Sequence, residues 1–172
     1  MANEKIIRMI ALILSGIFIL IILPWLTYLI SHQIDVILTL QNFVMYPINL
    51  ILGVLFIIIG VFFGAWSNYT LVKKGNGSPV PAKRTKTKKL VTSGPYKYSR
   101  NPMIFGTILI WLGLGFILNS FSFTIFSTLI LSISLYLVVK FWEEKNLEER
   151  FGEDYKHYKN RVSFIIPLPP KN

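Results

Sequence analysis

Residues 43–72 read FVMYPINLILGVLFIIIGVFFGAWSNYTLV, without one charged side chain. A hydrocarbon core of about 30 Å is crossed by roughly 20 apolar residues rising about 1.5 Å each. In hydrocarbon every backbone N–H and C=O must find its partner inside the protein, so an uncharged run of this length reads as a helix. Pro47 falls in its first turns, where the N–H it lacks has no helical acceptor anyway. Gly53, Gly60 and Gly64 form a small-residue seam suited to close approach of another helix.

Three more runs of this kind surround it. Ile6–Ile30 carries one charge, Arg8, near its start, and holds Pro24, which is expected to kink its outer third. The run exceeds a signal-peptide core and shows no small-residue cleavage site, so it is expected to be retained. Pro102–Leu118 opens on a proline, and after the polar pair Asn119–Ser120 the run Phe121–Phe141 returns. The pattern predicts an all-α integral membrane protein with four transmembrane helices, at about 6–30, 43–72, 102–118 and 121–141. A single domain is expected over residues 1–172. The composition agrees: 53% hydrophobic, 15% charged and a mean hydropathy of +0.55 exclude a disordered chain, a collagen and a coiled coil. With no cysteine, there is no disulfide, thiolate metal site or cysteine nucleophile. His32 and His157 lie far apart in sequence and make a poor ligand set, so no metal is expected.

The charges orient the spans. Lys5 and Arg8 precede the first run, nine Lys or Arg lie between Lys73 and Arg100, and seven lie from Lys140 to Lys171, which accounts for all 18. The Ser31–Asn42 loop and the Asn119–Ser120 turn carry none. Cytoplasmic loops collect Lys and Arg, so both termini and the long basic loop are expected on the cytoplasmic side. The same rule, with contact to anionic lipid, accounts for the net charge of +10 and for the stretch Lys83–Lys89. Nucleic-acid binding is not expected, because that stretch lacks interleaved aromatics and any recognisable module. A transporter ranks last, for want of an ionisable residue deep in a span.

Two cytoplasmic segments are more specific than connectors need to be. In KKLVTSGPYKYSRNPM, residues 88–103, Gly94-Pro95 forces a turn and Asn101-Pro102 sets the start of the third run. The first N–H groups and positive dipole end of that helix then face the cytoplasm beside Arg100, a site for a carboxylate or a hydroxyl-rich ligand. Tyr96 and Tyr98 can stack on a flat ring. In FWEEKNLEERFGEDYKHYKNRV, residues 141–162, Leu147, Phe151, Tyr155, Tyr158 and Val162 recur at helical spacing, with Gly152 as a local break. This amphipathic C-terminal helix is either an interfacial anchor or a wall laid against the protein's own loop. Six of the eight acidic side chains fall within Glu143–Asp154, and the pair Glu143-Glu144 directly follows an apolar run. Such a pair either receives a cationic ligand group or bonds to Lys140 and Lys145.

Together the two segments resemble the isoprenylcysteine carboxyl methyltransferase family and the related small membrane phospholipid methyltransferases. The matching residues are Leu90-Val91, Gly94, Tyr96 and Arg100-Asn101-Pro102, then Glu143-Glu144, Leu147, Phe151-Gly152, Tyr155 and Tyr158. The resemblance covers roughly residues 75–167 and implies S-adenosylmethionine as cofactor, bound by segments 88–106 and 140–162. It implies that Lys88, Lys89, Leu90, Val91, Tyr96, Asn101, Pro102, Met103 and Ile104 line the cofactor pocket. It places Glu143 at the cofactor's amino group, with Glu144 in support, and makes Arg100 and Glu144 the candidates for the catalytic step. Gly113-Leu114-Gly115 sits mid-membrane with no preceding strand and is read as helix packing, not a dinucleotide loop. The chain departs from the pattern at Ile104, where a Tyr is common. It also departs at Phe164 and Val139, where an Arg is usual.

The acceptor is expected to be a lipid or lipidated molecule entering from the bilayer. A carboxylate acceptor needs only a cation to hold it, and Lys140 or Arg161 are the candidates. An ethanolamine-type amine must first lose a proton and needs a base, for which Glu144 and His157 are available. A non-enzymatic membrane protein on the same scaffold is the alternative from another class.

Overall fold

The computed structural model describes residues 2–40, 42–75, 87 and 89–171. Helix α1 (Ala2–Ile17) passes through a π turn, Phe18–Ile22, into α2 (Leu23–Ile37); α3 is Ile48–Gly75 and α4 is Pro102–Leu118. A second π turn, Phe123–Ser127, leads into α5 (Thr128–Val138), and a third, Val139–Glu143, into α6 (Glu144–Arg161). Among the described residues three helical stretches are long and apolar enough to cross a membrane, Met9–Ile37, Ile48–Gly75 and Phe123–Arg161, while Pro102–Leu118 is a shorter apolar helix.

The first helix runs past the expected end at Ile30, because Asp35 is not a loop charge. Its buried carboxylate accepts a hydrogen bond from the Ser122 backbone N–H at 2.9 Å and another from the Ser120 hydroxyl. That ties α2 to the first turn after α4, where unpaired N–H groups call for an acceptor. Asn119 sits beside it in the left-handed region at φ 49° and clamps Val44 from both sides, accepting from its N–H at 3.1 Å and donating to its C=O at 2.9 Å. This clamp holds residues 43–47 outside the helix, and α3 begins at Ile48 instead of Phe43.

The glycine seam works in reciprocal pairs. A Cβ on Gly53 would stand 2.8 Å from the Gly113 carbonyl, and one on Gly60 would stand 2.6 Å from the Gly106 carbonyl. Any larger residue must push two backbones apart, so α3 and α4 lie antiparallel at the closest distance that helices allow. Gly113 therefore packs as expected. A Cβ on Gly64 would meet nothing, although its backbone N–H borders Gly106.

Pro24 lies inside the helical stretch Met9–Ile37, which continues through it. It follows the π turn, in which the Leu23 N–H reaches back to the Phe18 carbonyl. The next such bond would run from residue 24 to Ile19, and proline has no N–H to give. Trp111 of α4 supplies the donor instead, its indole Nε1 reaching the Ile19 carbonyl at 3.2 Å. Trp111 is 1% exposed and stacks on Phe123 at 5.3 Å, so this junction anchors α1 and α2 to the body.

At the far end α6 bends at Gly152, whose φ of 52° and ψ of −127° lie outside the helix region. The bend turns Tyr155, Tyr158 and Val162 back over the segment preceding α4. The last residues staple that segment: Arg100 N–H donates to Ser163 C=O at 2.9 Å, and Leu168 N–H donates to Tyr98 C=O at 3.0 Å. Asn101 Nδ2 donates to Phe164 C=O at 2.9 Å. Of the two readings of this helix, its buried face follows the second, a wall laid against the protein's own loop.

Candidate active site

The stapling brings the two polar segments to one cavity of about 580 Å³. From the first segment, Leu90, Val91 and Tyr96 line it, followed by Arg100 to Ile104. From the second come Glu143, Asn146, Leu147, Arg150 and Phe151, successive members of one helical face, with Tyr155 and Tyr158 beyond the Gly152 bend. The floor is apolar: Thr107 and Leu135 reach it from α4 and α5, and Ile19 from the first π turn.

Glu143 and Glu144 point to different fates. Among the described residues no cation pairs with Glu143, and burial pushes its carboxyl above the ordinary value. Glu144 is 2% exposed and stands behind the cavity wall. Arg100 donates to its Oε1, Lys159 lies 3.0 Å from Oε2, and Lys140 3.6 Å from the same oxygen. Lys159 also bonds Glu148 at 2.6 Å, which holds that half-buried carboxyl below its usual range. Phe164, where the resembling family carries Arg, lays its ring 5.1 Å from the Arg100 guanidinium carbon and 6.0 Å from the Lys140 ammonium. An apolar face thus completes a cluster that already has cations enough.

Three phenols complete the wall. Burial raises the Tyr96 hydroxyl, with Tyr158 and Glu143 adding to the effect; burial and then Glu144 raise Tyr155. Both stay neutral donors at physiological pH. Tyr158 donates to the Tyr96 carbonyl at 2.7 Å, fixing the turn that Gly94 begins at φ 64°. Arg150 donates to the Thr87 carbonyl and lies 4.9 Å over the Phe151 ring.

Of the residues named from sequence, Leu90, Val91, Tyr96, Asn101, Pro102, Met103, Ile104 and Glu143 line the cavity, and so does Arg100. Lys89 is exposed and not among the lining residues, and Lys88 lies outside the described residues. Glu144 supports the wall from behind. Lys140 is committed to Glu144, and Arg161 is exposed near the C-terminal strap, its Nε 3.4 Å from the Lys171 carbonyl. Neither is brought to the cavity. Sequence reasoning missed Asn146 and Arg150, which the i+3 and i+7 spacing from Glu143 marks. It also missed Lys159 and Ile19, which no spacing reveals.

On this scaffold of apolar helices one cavity joins the start of α4 to the Glu143 carboxylate. The family model for phospholipid methyltransferase matches residues 48–154, and the chain belongs to that family. It is also 37% identical over 97 residues to the protein-S-isoprenylcysteine O-methyltransferase of Schizosaccharomyces pombe. That match covers 53% of this chain and 38% of the relative, so the chain spans well under half the length of that protein.

Proposed function

We propose that this protein transfers a methyl group from S-adenosylmethionine to a lipophilic acceptor at the cytoplasmic face of a membrane, as part of a four-span arrangement. The observation that carries this reading is Glu143, a carboxylate in the cavity wall beside the start of α4 that has no ion-pair partner among the described residues. The site fits that cofactor. Glu143 and Asn146 would hold its ammonium. The Met103 and Ile104 N–H groups, which lie in the first turn of α4 and lack helical acceptors, would hold its carboxylate. When bound, the cofactor supplies a methyl group on a sulfonium, open to in-line displacement. The chain's part is alignment and exclusion of water, which lower a barrier of this kind by several kcal/mol, up to about 7–11 in favourable cases. Tyr96 and Tyr155 provide neutral walls that place no competing anion near the sulfonium.

The likeness to an O-methyltransferase favours a carboxylate acceptor. A second reading, N-methylation of an ethanolamine-type headgroup, is favoured by one specific observation. Arg100 and Lys140 are both spent on Glu144, and Val139 stands where the resembling family carries its acceptor-binding Arg. Isothermal titration of detergent-purified protein with the cofactor tests the shared claim. Micromolar binding is expected, and no detectable binding refutes it. Incubation of membranes with methyl-labelled cofactor, followed by mass spectrometry of the labelled lipid, separates ester from amine product. A protein that binds the cofactor and labels nothing would be the non-enzymatic member of the scaffold.

A further inference from the structure

The strap at residues 162–171 carries side chains that neither the spans nor the cavity explain. Ile166 is 62% exposed and Leu168 52%, and both lie outside the apolar helices. Tyr98, whose carbonyl accepts from the Leu168 N–H, is exposed beside them. Three cations share this face. Lys97 lies 5.8 Å over the Tyr98 ring, and the Lys171 N–H donates to the Arg161 carbonyl at 2.8 Å. Among the described residues none of the three pairs with a carboxylate, and neither residues 90–103 nor residues 155–171 include an acidic side chain. The outer face of α6 is the contrast. Its exposed residues include Lys145, Glu149, Glu153, Asp154 and Lys156, mixed in sign and without a large apolar side chain.

We propose that the face formed by Lys97, Tyr98, Arg161, Ile166, Leu168 and Lys171 seats on anionic phospholipid, and that seating it holds the strap against the start of α4. Two observations favour a bilayer over a soluble partner. Cations alone around exposed apolar and phenolic side chains are what an anionic headgroup layer attracts and partly buries. The strap also lies at membrane depth. Phe164 packs edge-to-face on Tyr136 at 5.1 Å, and Tyr136 is itself exposed on the apolar stretch Phe123–Arg161, about two helical turns before Glu143. A bilayer around that stretch therefore reaches the strap. The link to α4 follows from the backbone: the Ser163 and Phe164 carbonyls receive the Arg100 N–H and the Asn101 amide. A strap kept down keeps those two residues in the cavity wall.

The test uses the full chain in nanodiscs of phosphatidylcholine alone and of phosphatidylcholine mixed with phosphatidylglycerol. The chain has no cysteine, so Leu168→Cys and Asp154→Cys each give one site for a nitroxide label. In the mixed discs the label at 168 should meet lipid-soluble oxygen more often than a water-soluble nickel chelate, while the label at 154, on α6, stays with the chelate. In unlabelled protein, amide exchange at Arg100 and Leu168, the two N–H groups of the staple, should slow about tenfold or more on going to the mixed discs, since each cation near an anionic surface contributes about fivefold. High salt should erase that difference, and so should Lys97→Glu, Arg161→Glu and Lys171→Glu combined. A label at 168 that stays in water in both discs, or exchange that ignores the lipid charge, overturns the proposal. So does equal protection by soluble polyglutamate in the neutral discs, which would give the face to an acidic protein. Neither readout contains cofactor or acceptor, so the outcome stands apart from the methyl-transfer reading.

Discussion

Neighbouring carboxylates should answer the same substitution in opposite ways. Glu143 sits desolvated in the cavity wall with no cation paired to it among the described residues, whereas Glu144, 2% exposed, balances Arg100, Lys159 and Lys140. Glu144→Gln takes from Arg100 and Lys140 the carboxylate they share and leaves Lys159 with Glu148. Removing one partner of a buried pair costs about 3–5 kcal/mol, and for a chain of this size each kcal/mol lowers the Tm by about 2–4 °C, a drop of roughly 6–20 °C. Arg100, 10% exposed, accounts for most of it, while Lys140, 40% exposed and 3.6 Å away, adds little through screening. Glu143→Gln should instead raise the Tm of the cofactor-free protein. Its folded carboxyl is shifted up by burial, so its stabilising contribution is present below the ordinary carboxylate range and is lost as the pH rises through the shifted value. The gain on substitution therefore grows as the pH rises above the ordinary carboxylate range and levels off above the shifted value. The same variant should weaken cofactor binding about 10- to 150-fold, the loss of one charge-assisted pair worth about 1.5–3 kcal/mol. In the wild type, affinity should fall as Glu143 takes up its proton. Thermal unfolding and titration calorimetry on both variants across that range provide the check. A stable Glu144→Gln together with a destabilised Glu143→Gln would refute the assignment of the two roles.

Other outcomes follow from particular contacts. Gly60→Val should separate α3 from α4 and cost about 1–3 kcal/mol or more through overpacking, whereas Gly64→Ala, with open space at Cβ, should be neutral or gain up to about 1 kcal/mol of helix propensity; thermal unfolding distinguishes them. Asp35→Asn should cost about 1.5–3 kcal/mol by weakening the bonds to Ser120 and the Ser122 N–H, with cofactor affinity unmoved. Arg161→Ala should change kcat/KM by less than about threefold, since Arg161 is exposed and off the cavity; a large loss would restore it as the acceptor's cation.

The apolar runs showed the helices because hydrocarbon leaves the backbone no other choice. The glycine spacing showed which face of α3 would be met closely. What sequence could not show were consequences of a single missing or extra hydrogen bond. Asp35 looked like a loop residue until its carboxylate found the turn after α4. Pro24 withholds the donor that the Ile19 carbonyl would next meet, and another helix claims that carbonyl. In the site, helical spacing from Glu143 points to Asn146 and Arg150. Lys159 reaches Glu144 only because Gly152 reverses the chain, a geometry that no periodicity encodes. Lys140 and Arg161 were chosen for charge alone, and charge does not say which carboxylate already holds a cation.

The most direct test is ultraviolet cross-linking of methyl-labelled S-adenosylmethionine to the full chain in detergent, followed by peptide mapping. If the two segments form one cofactor site, label should appear both in the peptide spanning 90–104 and in the one spanning 143–151, and excess unlabelled cofactor should erase both. Label confined to one of them, or placed elsewhere, would contradict the shared cavity on which the account depends.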